Sequence, residues 1–405
     1  MFLSNYIGQH RLVLSKLGVL CVLSFIILSF VARILFPFGD EPDFAVRAEK
    51  VINGSHPFWS PYSIFSSLVD LLDYDSKCLI ISTPISFYVY ISPDSCIQPL
   101  EQISLRWFLM IIIALPLLLG VVLRGPRAFL RYFGGNSSAP NIDDRKNALA
   151  VSLVFPGVIY YLGVLAEEQF VLVLSLLMFL FWQYKLAVFI LVALIMTIDL
   201  GNSIVIGGFV VMAVFYGFLH NILSLKIIIY LLVIQVVVAY LIGPSILGVT
   251  SYVAFLAEKS DAMAVAIEGG GHIEKYPVLL RPVITFMTFI FFTPAYVKVP
   301  LLYILVSVIV IYTFIRIKKK SYKLKKNPVR SNVGLEGDLL LFSVSVALIL
   351  TFVFMFPTYG NAKYYVFMTP FLMALFLQVY RAIDMLYFMC FCNFIVFLYL
   401  LIYRL

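Results

Sequence analysis

The chain has 405 residues, 62% of them hydrophobic and only 12% charged, with a mean hydropathy of +1.02, whereas a soluble globular protein carries about 25% charged residues. Charge-free windows of roughly 17 to 20 residues, long enough to cross a bilayer as helix, exclude soluble enzymes and disordered scaffolds, and the lack of period-two alternation excludes an outer-membrane barrel. The net charge of +8 sits in clusters between apolar runs, which marks membrane topology rather than a nucleic-acid surface.

In chain order the apolar runs predict eleven spans: 17–36, 107–123, 147–166, 170–183, 186–198, 203–219, 227–243, 299–315, 339–356, 365–380 and 385–403. The first has no small-residue cleavage site after it and reads as a retained span, not a signal peptide. A twelfth apolar stretch, 282–297, opens with Pro282 and carries Pro294 near its end; it reads as re-entrant or interfacial. The expected fold is an all-α, polytopic membrane helix bundle of about eleven spans, forming a single integral-membrane domain over 1–405.

Charge decides the threading. With a cytoplasmic N-terminus, 18 of the 29 Lys and Arg face the cytoplasm against 5 of the 21 acids, as the positive-inside rule requires. The run RIKKKSYKLKKNPVR (316–330) lands there only if 282–297 does not cross. Two segments then lie outside, 37–106 and 244–298. Neither an inverted nor any other internal repeat is visible. Cys21, Cys390 and Cys392 fall in spans and read as packing residues. Cys78 and Cys96 share the first outer loop, where an oxidising compartment allows a disulfide; spacing alone leaves it open.

Chemistry concentrates at the start of that loop. In FPFGDEPDF, Asp40, Glu41 and Asp43 follow the first span directly. Three close carboxylates repel one another, which raises at least one pKa toward the range of a general base. The competing reading is a cap for a helix after Pro42. Further along, Asp199 in TIDLGNS reads as a turn cap or a functional acid. His272 follows Gly269 to Gly271, and Lys275, Arg281 and Lys363 lie at outer span ends. There Arg281 and Lys363 read either as phosphate ligands or as residues snorkelling to the headgroups. Trp59 and Tyr62, in HPFWSPY, are the aromatic candidates for a sugar surface.

An Asp-Glu pair right after the first span, then a long outer loop with aromatic residues, resembles the GT-C class of membrane glycosyltransferases, which use polyprenyl-phosphate-linked sugars. The stretch FPGVIYYLGVLAEEQFVLVLSLLMFLF (155–181) looks like that class too, as does YGNAKYYVFMTPFLMAL (359–375). The resemblance implies Asp40 or Glu41 as the first-loop catalytic carboxylate, Glu167 or Glu168 as the second acidic position, and Lys363, Tyr364, Tyr365 and Pro370 as the late basic and aromatic cluster. In length, span number and the lack of a large soluble C-terminal domain the chain looks more like O-antigen repeat-unit polymerases. The segment AIEGGGHIEKYPVLLRPVITFMTFIFFTP (266–294) is similar to their outer glycine-containing loop and apolar hairpin.

Both families move sugar from a lipid carrier outside the cytoplasm. The expected activity is a membrane glycosyltransferase of O-antigen-like polysaccharide assembly, inverting in a single displacement, with a lean to repeat-unit polymerase over single-sugar transferase. A lipid-linked oligosaccharide flippase or transporter is the alternative from another class. In the transferase reading Glu41 is the base with Asp40 next to it. Arg281 and Lys363 receive the departing phosphate, backed by His272 and Lys275, and Glu168 and Tyr365 are further substrate-binding residues that the resemblance implies. No cofactor is called for, and a divalent metal stays open. The expected partners are a polyprenyl-linked saccharide, the bilayer and polysaccharide-assembly proteins, without nucleic acid. The expected location is a bacterial inner membrane.

Overall fold

The structure, a computed structural model, describes residues 13–35, 80–81, 89–90, 100–124, 142–163, 167–250, 277–291, 300–326, 333–355 and 362–404. They form an all-helical protein whose β content is two antiparallel pairings of two-residue strands, Val13–Leu14 with Leu123–Arg124 and Ile80–Ile81 with Val89–Tyr90. The helices are α1 (Lys16–Leu35), α2 (Leu100–Val122), α3 (Ile142–Ser152), α4 (Pro156–Leu162), α5 (Glu167–Leu180), α6 (Lys185–Ile198), α7 (Leu200–His220), α8 (Leu225–Thr250), α9 (Arg281–Phe291), α10 (Pro300–Lys326), α11 (Val333–Met355), α12 (Thr369–Leu377) and α13 (Ala382–Arg404). Among the described residues Gly201–His220, Leu225–Ile242 and Leu335–Met355 are long and apolar enough to cross a membrane. A chain with such helices is a membrane protein. Helix is the natural state of apolar runs in lipid, because it pairs backbone polar groups within the segment.

Two compact units divide the chain, one of residues 1–203 and 381–405, the other of 204–380. In the first unit α1 packs against α2, α3, α4 and α13, while α5 packs against α2, α3, α4 and α6. The core of this unit is the stretch expected as one continuous span over 147–166. It is instead broken, with α3 and α4 separated by a turn at 153–155, and every residue from Ala148 to Gly163 is buried. The cause is Pro156. It supplies no N–H to the carbonyl one turn back, and its ring pushes Phe155 into an extended conformation at φ −70°, ψ 134°. The helix therefore tightens before it stops. Val154 N–H donates to Val151 O and Phe155 N–H to Ser152 O at 3.1 and 3.0 Å, and α4 restarts with proline in its first turn, where a missing donor costs nothing.

The break is tied down from α13. Asn393, 1% exposed, donates from Nδ2 to Val154 O at 2.7 Å and to Met389 O at 2.8 Å. Replacing it by alanine should lower stability by about 1 kcal/mol, the usual net worth of such a bond. The loss would be read as a lower thermal unfolding midpoint in detergent; an unchanged midpoint would show that the turn holds without it.

In the second unit α8 packs along α11, and α9 packs on α11. Lys226 and Lys318 line one groove, and the acids Glu336 and Asp338 stand in the first two turns of α11. His220 Nε2 lies 3.7 Å from Glu336, Gln378 donates to Asp338 at 2.9 Å, and the Phe314 and Phe342 rings stand 5.5 Å apart. Midway along, Tyr216 donates to Gln235 Oε1 at 2.8 Å, and Gln235 Nε2 donates to Thr351 Oγ1 at 3.4 Å, linking α7, α8 and α11. The run expected as a span over 365–380 begins as two 3-10 turns, Ala362–Tyr364 and Val366–Met368, before α12, which has Pro370 in its first turn. Thr369 to Met373 are buried. Phe209 meets Phe371 at 4.9 Å and Phe367 at 5.4 Å, so this short segment is core. Each unit thus centres on a short helix restarted at a proline.

Candidate functional site

Arg281, Lys363, Glu168 and Tyr365 are the described members of the expected site; Asp40, Glu41, His272, Lys275, Trp59, Tyr62, Cys78 and Cys96 lie outside the described residues. Arg281 is the first residue of α9. It follows the 3-10 turn Val278–Leu280, which is closed by Leu280 N–H donating to Pro277 O at 2.8 Å. Proline after Arg281 suits a helix start, since its ring fixes φ and its lack of a donor is harmless there. Pro282 and Thr285 are buried, while the arginine is half-buried.

Besides α11, α9 also meets the turn Ala362–Tyr364 with Lys363 at its centre. Lys363 is half-buried, and its Nζ stands 5.5 Å above the Tyr364 ring. The negative face of the ring attracts the ammonium. The second unit therefore carries two cationic residues, distant in sequence, on adjoining elements. Of the two, a guanidinium can bind a phosphate as a two-donor fork and an ammonium as a point charge.

Tyr365 is one of the largest fully buried side chains and is a core residue of the same segment. Glu168 belongs to the first unit, half-buried in the first turn of α5. Next to it Gln169, fully buried, donates from Nε2 to Met110 O at 3.0 Å and Leu162 O at 3.2 Å, tying α5 to α2 and to the end of α4. Among the described residues its Oε1 has no hydrogen-bond partner.

Asp199 is a helix cap. Its Oδ1 accepts from Gly201 N–H at 2.7 Å and Asn202 N–H at 3.4 Å, and its Oδ2 accepts from Asn202 Nδ2 at 2.6 Å. These bonds satisfy the orphan donors at the start of α7 and place negative charge at the positive end of the helix dipole. At the start of α13, Arg381 grips Asp384 with two bonds of 2.9 Å and holds that carboxyl below its ordinary range, though both are exposed.

Sequence reasoning passed over Gln169, Gln235 and Asn393. The signal available was an amide inside an apolar run, which in a membrane helix usually turns toward another helix. Among the described residues no group of three His, Cys, Asp or Glu side chains is placed to hold a metal ion. Neither a protein-family model, a curated protein nor a solved structure matches the chain.

Proposed function

We propose that the protein is a polytopic membrane glycosyltransferase of cell-surface polysaccharide assembly. Its donor is a sugar or oligosaccharide on a polyprenyl carrier, and the lean is toward a repeat-unit polymerase over a single-sugar transferase. The observation that carries the reading is the pairing of α9, headed by Arg281, with the turn bearing Lys363. Two fixed cations beside apolar helices are suited to a lipid-linked phosphate, whose leaving oxygen gathers negative charge as the glycosidic bond breaks. The acceptor hydroxyl attacks the anomeric carbon and gives its proton to Glu41 or Asp40. The carrier departs as phosphate or pyrophosphate, and the anomeric centre inverts in one displacement.

The proposed threading has eleven spans with the N-terminus in the cytoplasm of a bacterial inner membrane. A re-entrant or interfacial α9 keeps the basic run 316–330 on the cytoplasmic side. That Lys226 and Lys318 line one groove supports a shared cytoplasmic face for the segments that carry them.

The broken helices favour a second reading. Discontinuous segments restarted at Pro156 and Pro370 are a feature of transporters as well, so a flippase for the same lipid-linked saccharide is the alternative. Deleting the gene and running surface glycolipid on a gel separates these readings. Core carrying a single repeat is the result expected of a lost polymerase, and a uniformly truncated glycan that of a lost transferase. Bare core with lipid-linked repeats accumulating on the inner leaflet would indicate the flippase. An unchanged pattern would overturn all three.

A further inference from the structure

The second unit contains a groove of about 820 Å³ between α8, α10 and α11, nearly all aliphatic and aromatic in lining, with Val233, Val236, Phe342 and Val346 among its walls. Its polar groups are Ser343 and two lysines, Lys226 and Lys318. Ser343 donates to Leu339 O at 2.8 Å and so offers its proton to no occupant. Both lysines lie at one end. Lys226 stands in the first turn of α8, and Lys318 one turn beyond Phe314, whose ring meets Phe342 in the first half of α11. The nearby acids are engaged elsewhere, Glu336 with His220 and Asp338 with Gln378. Among the described residues neither lysine has an ion pair or hydrogen bond.

From Lys226 to Val237 the groove runs for about 16 Å along α8, close to the depth of one leaflet of a bilayer core of about 30 Å. A slot one leaflet deep, apolar along its length and doubly cationic at its mouth, complements a molecule with an acyl tail and an anionic head. We infer that this groove binds an anionic glycerophospholipid, its chain lying along α8 and α11 and its phosphate held between Lys226 and Lys318. An acyl chain satisfies the apolar walls, and the two ammonium groups select charge at the surface, where each basic residue adds attraction for an anionic lipid. This inference is independent of the sugar-transfer reading.

The full-length protein, reconstituted in nanodiscs of equal parts phosphatidylglycerol and phosphatidylcholine and released for native mass spectrometry, tests it. The expected result is one retained lipid, phosphatidylglycerol in preference, with the preference falling roughly fivefold for each lysine removed in Lys226→Gln and Lys318→Gln. Val236→Trp, which fills the slot, should lose retention of both lipids while keeping its helical circular dichroism. Millimolar inorganic phosphate should leave the lipid in place; displacement would assign the lysines to free phosphate and overturn the inference. Equal retention of the two lipids, or an unaltered preference without the lysines, would overturn it as well. Photolabelling of the unmodified protein with phosphatidylglycerol carrying a diazirine in its chain gives a reading that needs no variant. Adducts should concentrate on 229–237 and 339–350, and an even spread over exposed residues such as Phe218 and Phe394 would count against the site.

Discussion

Glu41→Ala, expressed at the normal level, is expected to lose sugar transfer by roughly 10²- to 10⁴-fold, the usual contribution of a positioned general base. Asp40→Ala should do the same if the two carboxylates act as a unit. The measurement is product formed by membranes supplied with lipid-linked donor and acceptor, with the surface glycan of the complemented deletion strain as a second readout. Glu41→Gln separates charge from shape: it keeps the volume and hydrogen bonding but cannot take a proton, so it should be as inactive as alanine. A helix cap after Pro42 would predict otherwise, since glutamine there would cost only stability. Full activity in both alanine variants would end the assignment of the base. Impermeant cysteine labelling of 40 and 41 from the cytosolic side alone would leave the proposed chemistry without a place.

Arg281→Ala combined with Lys363→Ala is expected to be the second large loss. Each cation should contribute about 10²- to 10³-fold in kcat, by comparison with a single fixed donor that stabilises developing charge. The two residues sit on packed elements, α9 and the turn Ala362–Tyr364, so the losses should be non-additive, as is usual for neighbouring groups that share a partner. Arg281→Lys should recover part of the rate, since it restores charge without the two-donor fork. If the residues merely snorkel to headgroups, the double variant will keep kcat and change only expression or orientation. A fall in donor affinity at constant kcat would mean that the cations hold the carrier equally in ground and transition states.

Much of the architecture was readable because it is local. The runs expected as spans are mostly helical where the structure describes them, from Lys16–Leu35 to Ala382–Arg404. The breaks were half-readable: Pro156 and Pro370 stand in the sequence, and a proline predicts a restart. Whether it kinks a long helix or opens a short one depends on what receives the freed backbone. Pro116 stays inside α2, whereas the turn before Pro156 is held by Asn393 from the far end of the chain. The two readings of Asp199 differed only in whether its oxygens reach the next backbone donors, and they do.

The candidate site divides along the same line. That Arg281 and Lys363 are cations at the ends of apolar runs is plain from composition; that their elements touch is a long-range fact. A soluble protein would reveal its inward faces through amphipathic periodicity, but lipid is as apolar as a protein core, so both faces of a membrane helix carry the same residues. Ile228 is fully buried while its neighbours Ile227 and Ile229 are 45% and 38% exposed, and nothing in an isoleucine triplet distinguishes them. By itself the sequence determined that this is a helical membrane protein, where its apolar runs lie and where its charge lies, since those follow from the cost of moving charge and unpaired backbone into hydrocarbon. The tertiary structure decided which apolar faces meet, which amide closes the break before Pro156, and which elements carrying cations touch, because packing between equally apolar surfaces is settled by shape and by a few buried polar groups.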